Sequence, residues 1–93
     1  MNFQIVIKKS AKSELASLNK KIQLKIASII DSLKENPLPD NCKKLRGKEH
    51  IYRIRYRNYR ILYSVKKQTL IIEILKIGKR DTIYKKFIKS KLR

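Results

Sequence analysis

The chain has 93 residues, of which 42% are hydrophobic, and this allows one small folded domain over residues 1–93. Twenty-five Lys and Arg residues stand against seven Asp and Glu, a formal net charge of +18. No apolar run approaches the roughly 20 residues that span a bilayer, and the first residues lack the pattern of a secretory signal. We therefore expect a cytoplasmic protein with no membrane partner, whose excess charge binds a polyanion such as nucleic acid.

The first predicted elements are a strand and a helix. Phe3, Ile5 and Ile7 alternate with their neighbours, which predicts a strand with one apolar face. Ser10 then offers an N-cap for a helix that begins at Ala11.

A second helix is predicted from residue 21 after a break at residues 19–20. Its apolar residues recur at helical spacing and form one stripe: Ile22, Ile26, Ile29, Ile30 and Leu33. Asn36 and Pro37 end this helix, since the residue before a proline is steered out of the helical region. The short link predicts an antiparallel pair, a helix hairpin.

The C-terminal half is predicted to be mainly strand. Residues 38–48 are irregular and rich in turn formers, after which a period of two predicts strands over residues 51–57, 59–66 and 69–77. Two-residue turns at 57–58 and 67–68 join them into an antiparallel meander. Gly78 ends the last strand, and Asp81 caps a final helix. The order β-α-α-β-β-β-α is an α+β domain, with a mainly antiparallel sheet packed against the helix hairpin.

Residues 52–57 alternate between apolar side chains and arginines. If the apolar set faces the helices, three guanidiniums project from the open face of the sheet about 7 Å apart: those of Arg53, Arg55 and Arg57. Such a row suits successive phosphates, since Arg binds phosphate oxygens through two parallel hydrogen bonds. A solvated basic face is the alternative interpretation.

Three further residues extend this row into a candidate phosphodiester site. Arg60 follows the tight turn, so we expect it beside Arg55 or Arg57 on the neighbouring strand. Arg80 lies at a strand-to-helix junction, a usual place for a functional side chain. Tyr84 lies one helical turn later, where it would stack on a base, and simple core packing is the alternative for this tyrosine.

The cysteine and histidine content argues against a disulfide and a zinc site. Cys42 is the single cysteine and His50 the single histidine, so neither an internal disulfide nor a zinc site is expected. We expect Cys42 to be a filler or surface residue, and we expect no cofactor.

Several short runs, in this order, resemble the RelE toxins of type II toxin–antitoxin systems. They are the KLRG of residues 44–47, the YRIR of 52–55, the NYRILY of 58–63, the IGKR of 77–80, and Tyr84. The resemblance extends from about Phe3 to Tyr84, nearly the whole chain. It implies a RelE-like fold.

RelE-like proteins are mRNA interferases, so the resemblance implies a metal-independent endoribonuclease that cuts mRNA in the ribosomal A site. The ribose 2′-OH is the nucleophile, leaving a 2′,3′-cyclic phosphate and a 5′-OH. Arg53 and Arg55 match the paired basic residues, Arg60 the arginine that steadies the scissile phosphate, Arg80 the arginine near the leaving group, and Tyr84 the tyrosine that orients the base. Further RNA contacts are expected from Arg46, Lys48, Arg57 and Lys79.

One departure from the family concerns proton transfer. The best-known members carry lysines where this chain has Arg53 and Arg55, and an arginine does not readily act as general acid or base. The remaining candidates are Lys79, Tyr84, His50 and Lys48, and the general base is left unassigned.

The resemblance also implies a partner, a cognate acidic antitoxin similar to RelB. The toxin alone is expected to be a monomer, and its complex with antitoxin a hetero-oligomer. We expect Lys85, Lys86 and Lys89 to pair with antitoxin carboxylates or ribosomal RNA. Two other functions stay open: a ParE-like toxin that inhibits DNA gyrase, and a non-catalytic module that binds RNA or the ribosome.

Overall fold

The computed structural model describes residues 2–79, which form two helices and five strands. In chain order these are β1 (Gln4–Ile7), α1 (Lys9–Ala16), α2 (Lys20–Ser32), β2 (Cys42–Lys44), β3 (Ile51–Tyr56), β4 (Tyr59–Lys66) and β5 (Ile71–Lys79). The sheet order is β1-β5-β4-β3-β2. β1 pairs parallel with β5, and the other neighbours pair antiparallel, which confirms the α+β class.

The start of α1 differs from its prediction. The helix begins at Lys9, so Ser10 lies inside the first turn, and Lys8 occupies the N-cap without a side-chain hydrogen bond. The amide of Lys8 donates to the carbonyl of Ile74, 3.0 Å away, so the chain passes from its pairing with β5 directly into the helix. Ser10 is therefore not the cap, because the edge of the sheet fixes where α1 begins.

α2 begins close to its predicted N-terminus and ends earlier than predicted. The side chain of Asn19 accepts a hydrogen bond from the amide of Ile22 at 3.0 Å and caps the helix. The helix ends at Ser32, before Pro37, and Leu33 is its C-cap. The amide of Lys34 bonds to the carbonyl of Asp31, three residues back, so a tighter turn ends the helix and the proline does not.

The strands differ from the prediction at three places. The irregular segment contains β2, whose Lys43 pairs with Arg53 of β3. A four-residue turn precedes β5, which begins at Ile71 after Leu70 in a left-handed conformation (φ 56°). β5 also continues through Gly78 to Lys79, so the glycine does not end it.

The main core lies between the helices and one face of the sheet. Ile26, Ile30 and Leu33 pack there with the strand residues Ile54 and Ile61. Tyr52, Ile54 and Tyr56 of β3 belong to this cluster, as predicted.

A second, smaller cluster lies on the other face, which the sequence predicted to be open and basic. Leu62 is fully buried there against Leu45, Ile51 and Leu75. Part of that face is therefore covered by the segment between β2 and β3.

The predicted C-terminal helix lies outside the described residues. The same holds for Arg80, Asp81, Tyr84 and the lysines at positions 85, 86 and 89. Among the helices that are described, none is long and apolar enough to cross a membrane.

Candidate functional site

The β3–β4 hairpin brings two of the predicted arginines directly opposite each other. Arg55 pairs with Arg60 in the antiparallel register, and Arg53 pairs with Leu62. Since Ile54 packs in the helix-side core, its neighbours Arg53 and Arg55 lie on the opposite face of the sheet. The prediction that Arg60 lies beside Arg55 is confirmed.

Arg57 does not continue this row. β3 ends at Tyr56, and Arg57 is the first residue of the two-residue turn, in a left-handed conformation (φ 56°). Its guanidinium carbon lies 5.6 Å from the centroid of the Tyr56 ring, a cation–π arrangement. The prediction of three guanidiniums in a row on one face is therefore wrong for Arg57, because this residue forms the tight turn and is not part of β3.

Arg60 is buried, which the sequence did not indicate. Only 3% of its surface is exposed. Its Nη1 donates to the carbonyl of Tyr59 at 3.0 Å and, weakly, to that of Arg57 at 3.4 Å. These two carbonyls hold the guanidinium against the turn.

The charge of Arg60 is not neutralised within residues 2–79. No carboxylate of this part of the chain lies within salt-bridge distance, and the buried Nε has no hydrogen-bond partner there. A buried cation without a counter-charge is unfavourable. An anion that reaches Arg60 therefore gains both a charge partner and an unused donor.

Lys43 joins the arginines on the open face, although the sequence did not single it out. It lies on β2 directly opposite Arg53 and is exposed. We call the set Lys43, Arg53, Arg55 and Arg60 the basic surface. The only available signal for Lys43 was the alternation of a three-residue strand, which is too short to recognise.

Three of the other described candidates lie away from Arg60. Arg46, Lys48 and His50 belong to the segment between β2 and β3, at the far end of β3. His50 is five residues from Arg55 along the chain, about 16 Å at the rise of a strand. Its side chain is 74% exposed. The structure therefore does not bring His50 or Lys48 to the Arg55–Arg60 pair.

Lys79 lies near Arg60 along the sheet but points elsewhere. It pairs with Tyr59, which packs in the helix-side core, whereas Arg60 pairs with the preceding Gly78. Cross-strand partners project to the same face. Lys79 is therefore next in sequence to the partner of Arg60, but its side chain leaves the backbone on the helix side of the sheet, opposite the basic surface.

Tyr63, whose pKa is strongly raised, has a structural role. Its side chain is fully buried, and its hydroxyl donates to the carbonyl of Pro37 at 2.8 Å. Burial raises the pKa of Tyr63 far above its usual value, and the neighbouring Cys42 thiol and Tyr52 add to that rise. Tyr63 lies on the helix side, so it does not supply a proton to the basic surface.

Metal-ligating side chains do not gather within the described part of the chain. No group of three His, Cys, Asp or Glu residues there is placed to hold a metal ion. Cys42 is half-buried and free, and it packs against the main core.

Comparison with known proteins identifies the family. The family model described as the ParE toxin of the type II toxin–antitoxin system, parDE, matches residues 5–84. A candidate toxin named RelE1 from Methanocaldococcus jannaschii is 34% identical over 88 residues, which cover 91% of this chain and 98% of that protein.

Solved structures agree with that assignment. A chain of the archaeal RelE–RelB complex from Pyrococcus horikoshii superposes with a TM-score of 0.77 at 31% identity, covering 87% of this chain and 98% of its own. A free RelE variant from Escherichia coli gives a TM-score of 0.80 over 97% of this chain and 98% of its own, and at 23% identity it supports the fold alone. This chain therefore belongs to the RelE/ParE superfamily, as a RelE-like toxin of a type II toxin–antitoxin system.

Proposed function

We propose that this toxin is an endoribonuclease that enters the ribosomal A site in the cytoplasm and cuts mRNA there. The observation that carries the proposal is the buried Arg60, which no carboxylate among residues 2–79 neutralises, with Arg55 directly opposite on β3. Like charges on cross-strand partners are unfavourable, and a phosphodiester that contacts both arginines would offset that repulsion.

The proposed reaction is transesterification. The ribose 2′ oxygen bonds to the adjacent phosphorus while the bond to the 5′ oxygen breaks, leaving a 2′,3′-cyclic phosphate and a 5′-OH. Negative charge gathers on the phosphoryl oxygens, and donors already fixed in place stabilise it without reorganisation. Arg60 fits that role because backbone carbonyls hold its guanidinium.

The remaining cations of the basic surface are proposed to bind flanking phosphates. Arg53 and Lys43 lie across the strands from each other, next along the sheet from Arg55. Arg46, Lys48 and Arg57 would add RNA contacts at the two ends of β3. These contacts place the mRNA, while Arg55 and Arg60 act on the scissile phosphate.

Proton transfer is assigned by elimination together with the family resemblance. An arginine does not readily act as a general acid or base, and His50 and Lys48 lie at the far end of β3. We propose Tyr84 for this role, since Lys79 begins on the helix side of the sheet, opposite the basic surface. Arg80 is proposed to stabilise the leaving oxygen.

An acidic antitoxin is the proposed partner. The relatives from Pyrococcus horikoshii and Methanococcus jannaschii were solved as complexes of RelE with RelB. A chain of net charge +18 favours a partner of opposite charge. We propose that a RelB-like antitoxin binds this toxin and neutralises part of its charge.

Gyrase inhibition is the second candidate function. It is favoured by one observation, that the matching family model is described as ParE. That function involves no phosphodiester cleavage, so it gives the Arg55–Arg60 pair no catalytic role. Only the nuclease function depends on Arg60, so one set of variants separates the two functions.

The test uses ribosomes programmed with a defined mRNA. We expect purified toxin to produce new mRNA ends within the A-site codon, with a 2′,3′-cyclic phosphate on the upstream fragment, and Arg60→Met to abolish them. Intact mRNA despite ribosome binding would favour the non-catalytic module. Inhibition of DNA gyrase supercoiling by the wild type, unchanged in Arg60→Met, would favour the ParE-like function.

A further inference from the structure

The last part of β5 has an unusual edge. β1 pairs with β5 from Ile71 to Ile74, and the chain then leaves the sheet for α1. Beyond Ile74, β5 continues to Lys79 with β4 on one side and, among the described residues, no strand on the other. Unpaired strand edges leave backbone groups without partners.

A glutamate from α1 occupies the place of the missing strand. The Oε1 of Glu14 accepts a hydrogen bond from the backbone amide of Ile77 at 3.0 Å. Its Oε2 lies 3.7 Å from the Nζ of Lys76, and the side chains of Glu14 and Lys76 are only 23% and 17% exposed. One carboxylate thus binds a backbone donor and a side-chain cation on neighbouring residues of β5.

This contact lies next to the basic surface. Ile77 immediately precedes Gly78, which pairs with Arg60 on β4. The β4–β5 pairing shifts its register between Leu62 and Tyr63 of β4. The part of β5 that pairs with Arg60 is therefore in a different register from the part that pairs with β1. A restraint on Ile77 therefore restrains the strand that flanks Arg60.

We propose that Glu14 is a positioning residue for the candidate site. Its carboxylate fixes the end of β5 against β4, so that Gly78 stays paired with Arg60. The proposal rests on the proposed function for its effect on cleavage, whereas the restraint on β5 is measurable without it.

The experiment compares Glu14→Ala, Glu14→Gln and Glu35→Ala in the full chain. Glutamine keeps an oxygen that accepts the Ile77 amide hydrogen, alanine removes it, and Glu35 is an exposed control outside any described salt bridge. Amide hydrogen exchange is measured at Ile77 and Lys79, with the core amide of Ile61 as the reference for global unfolding. Cleavage on programmed ribosomes is measured in parallel, separating kcat from KM.

We expect the Ile77 amide in Glu14→Ala to exchange about tenfold faster or more relative to Ile61, since a hydrogen bond to a charged group contributes at least that factor. The kcat of cleavage should fall with little change in KM, and Glu14→Gln should restore most of both properties. Glu35→Ala should match the wild type.

Two results would overturn the proposal. Ile77 exchange that accelerates only in step with Ile61 would mean that Glu14 contributes to global stability alone. Faster exchange at Ile77 with an unchanged kcat would mean that the end of β5 does not position the site. If the wild type cuts no mRNA, the proposed function fails, and the ratio of Ile77 to Ile61 exchange still tests the restraint.

Discussion

Arg60 is the residue at which stability and function are expected to oppose each other. The residue is 3% exposed, and no carboxylate among residues 2–79 neutralises its guanidinium. Replacing a buried charge by an apolar side chain of similar volume is often neutral or stabilising. We therefore expect Arg60→Met to leave the free energy of unfolding unchanged or to raise it by about 1 to 3 kcal/mol.

Urea denaturation at neutral pH measures this change. Arg55→Met is the matched variant, because Arg55 is the exposed partner on the opposite strand. Its effect should stay within about 0.5 kcal/mol, as is usual for surface substitutions. A loss of more than about 2 kcal/mol in Arg60→Met would show that the native state depends on this charge, against the interpretation of Arg60 as a functional residue.

Tyr63 allows a prediction about alkaline pH. Burial keeps the pKa of Tyr63 in the folded state above its unfolded value, so the folded state holds its proton longer. As pH rises above about 10, the unfolded state loses the proton first, and the stability falls by up to about 1.4 kcal/mol per pH unit.

Tyr63→Phe removes this pH dependence. At pH 8 it should cost about 1 kcal/mol, because the bond to the carbonyl of Pro37 is lost. Above the unfolded pKa the difference between the two proteins should shrink and then reverse. A difference that stays constant in urea denaturation from pH 8 to pH 11 would contradict this account.

The face of the sheet on which a side chain lies was predictable where the alternation was long. Residues 52–56 alternate without interruption, and their side chains divide between the two faces as expected. The burial of Arg60 was not predictable, because the sequence does not show how the guanidinium turns back to the carbonyls of its own turn. Glu14 was missed because its amide partner lies 63 positions away along the chain.

At the scale of elements, α2 depends on a short polar cap. The side chain of Asn19 accepts from the amide of Ile22, one of the donors that a helix start leaves unpaired. We expect Asn19→Ala to lower the free energy of unfolding by about 1 kcal/mol. Asn41→Ala is the control, since Asn41 is exposed and donates or accepts no side-chain hydrogen bond in the described part of the chain. Equal stability of the two variants would show that the Asn19 cap does not stabilise the protein.

Element boundaries were predicted less well than element types. Ser10 is a good N-cap residue in general, but the pairing of β1 with β5 starts α1 before it. Leu70 takes a left-handed conformation that leucine rarely adopts, so no local signal marked the four-residue turn. β2 has three residues on an edge of the sheet, and its existence depends on its pairing with β3.

At the scale of the whole molecule, the charge of +18 should make RNA binding strongly dependent on salt. Each phosphate neutralised contributes a slope of about −0.7 to a plot of log binding constant against log salt for a single strand. Arg55→Ala should make the slope shallower by about 0.7, and Lys67→Ala, in the turn before β5, should leave it unchanged. Equal slopes for Arg55→Ala and the wild type would place the RNA elsewhere on the surface.

The central claim is that the paired arginines, and not the net charge, carry the activity. Two double variants remove the same charge: Arg55→Met with Arg60→Met, and Lys66→Met with Lys67→Met at the far end of β4. Single-turnover cleavage of A-site mRNA should fall at least about 100-fold in the arginine pair, because fixed donors to the reacting phosphate are lost. The lysine pair should stay within about threefold of the wild type, as expected for screened surface charges. Equal losses in the two pairs, or full activity in the arginine pair, would contradict the account.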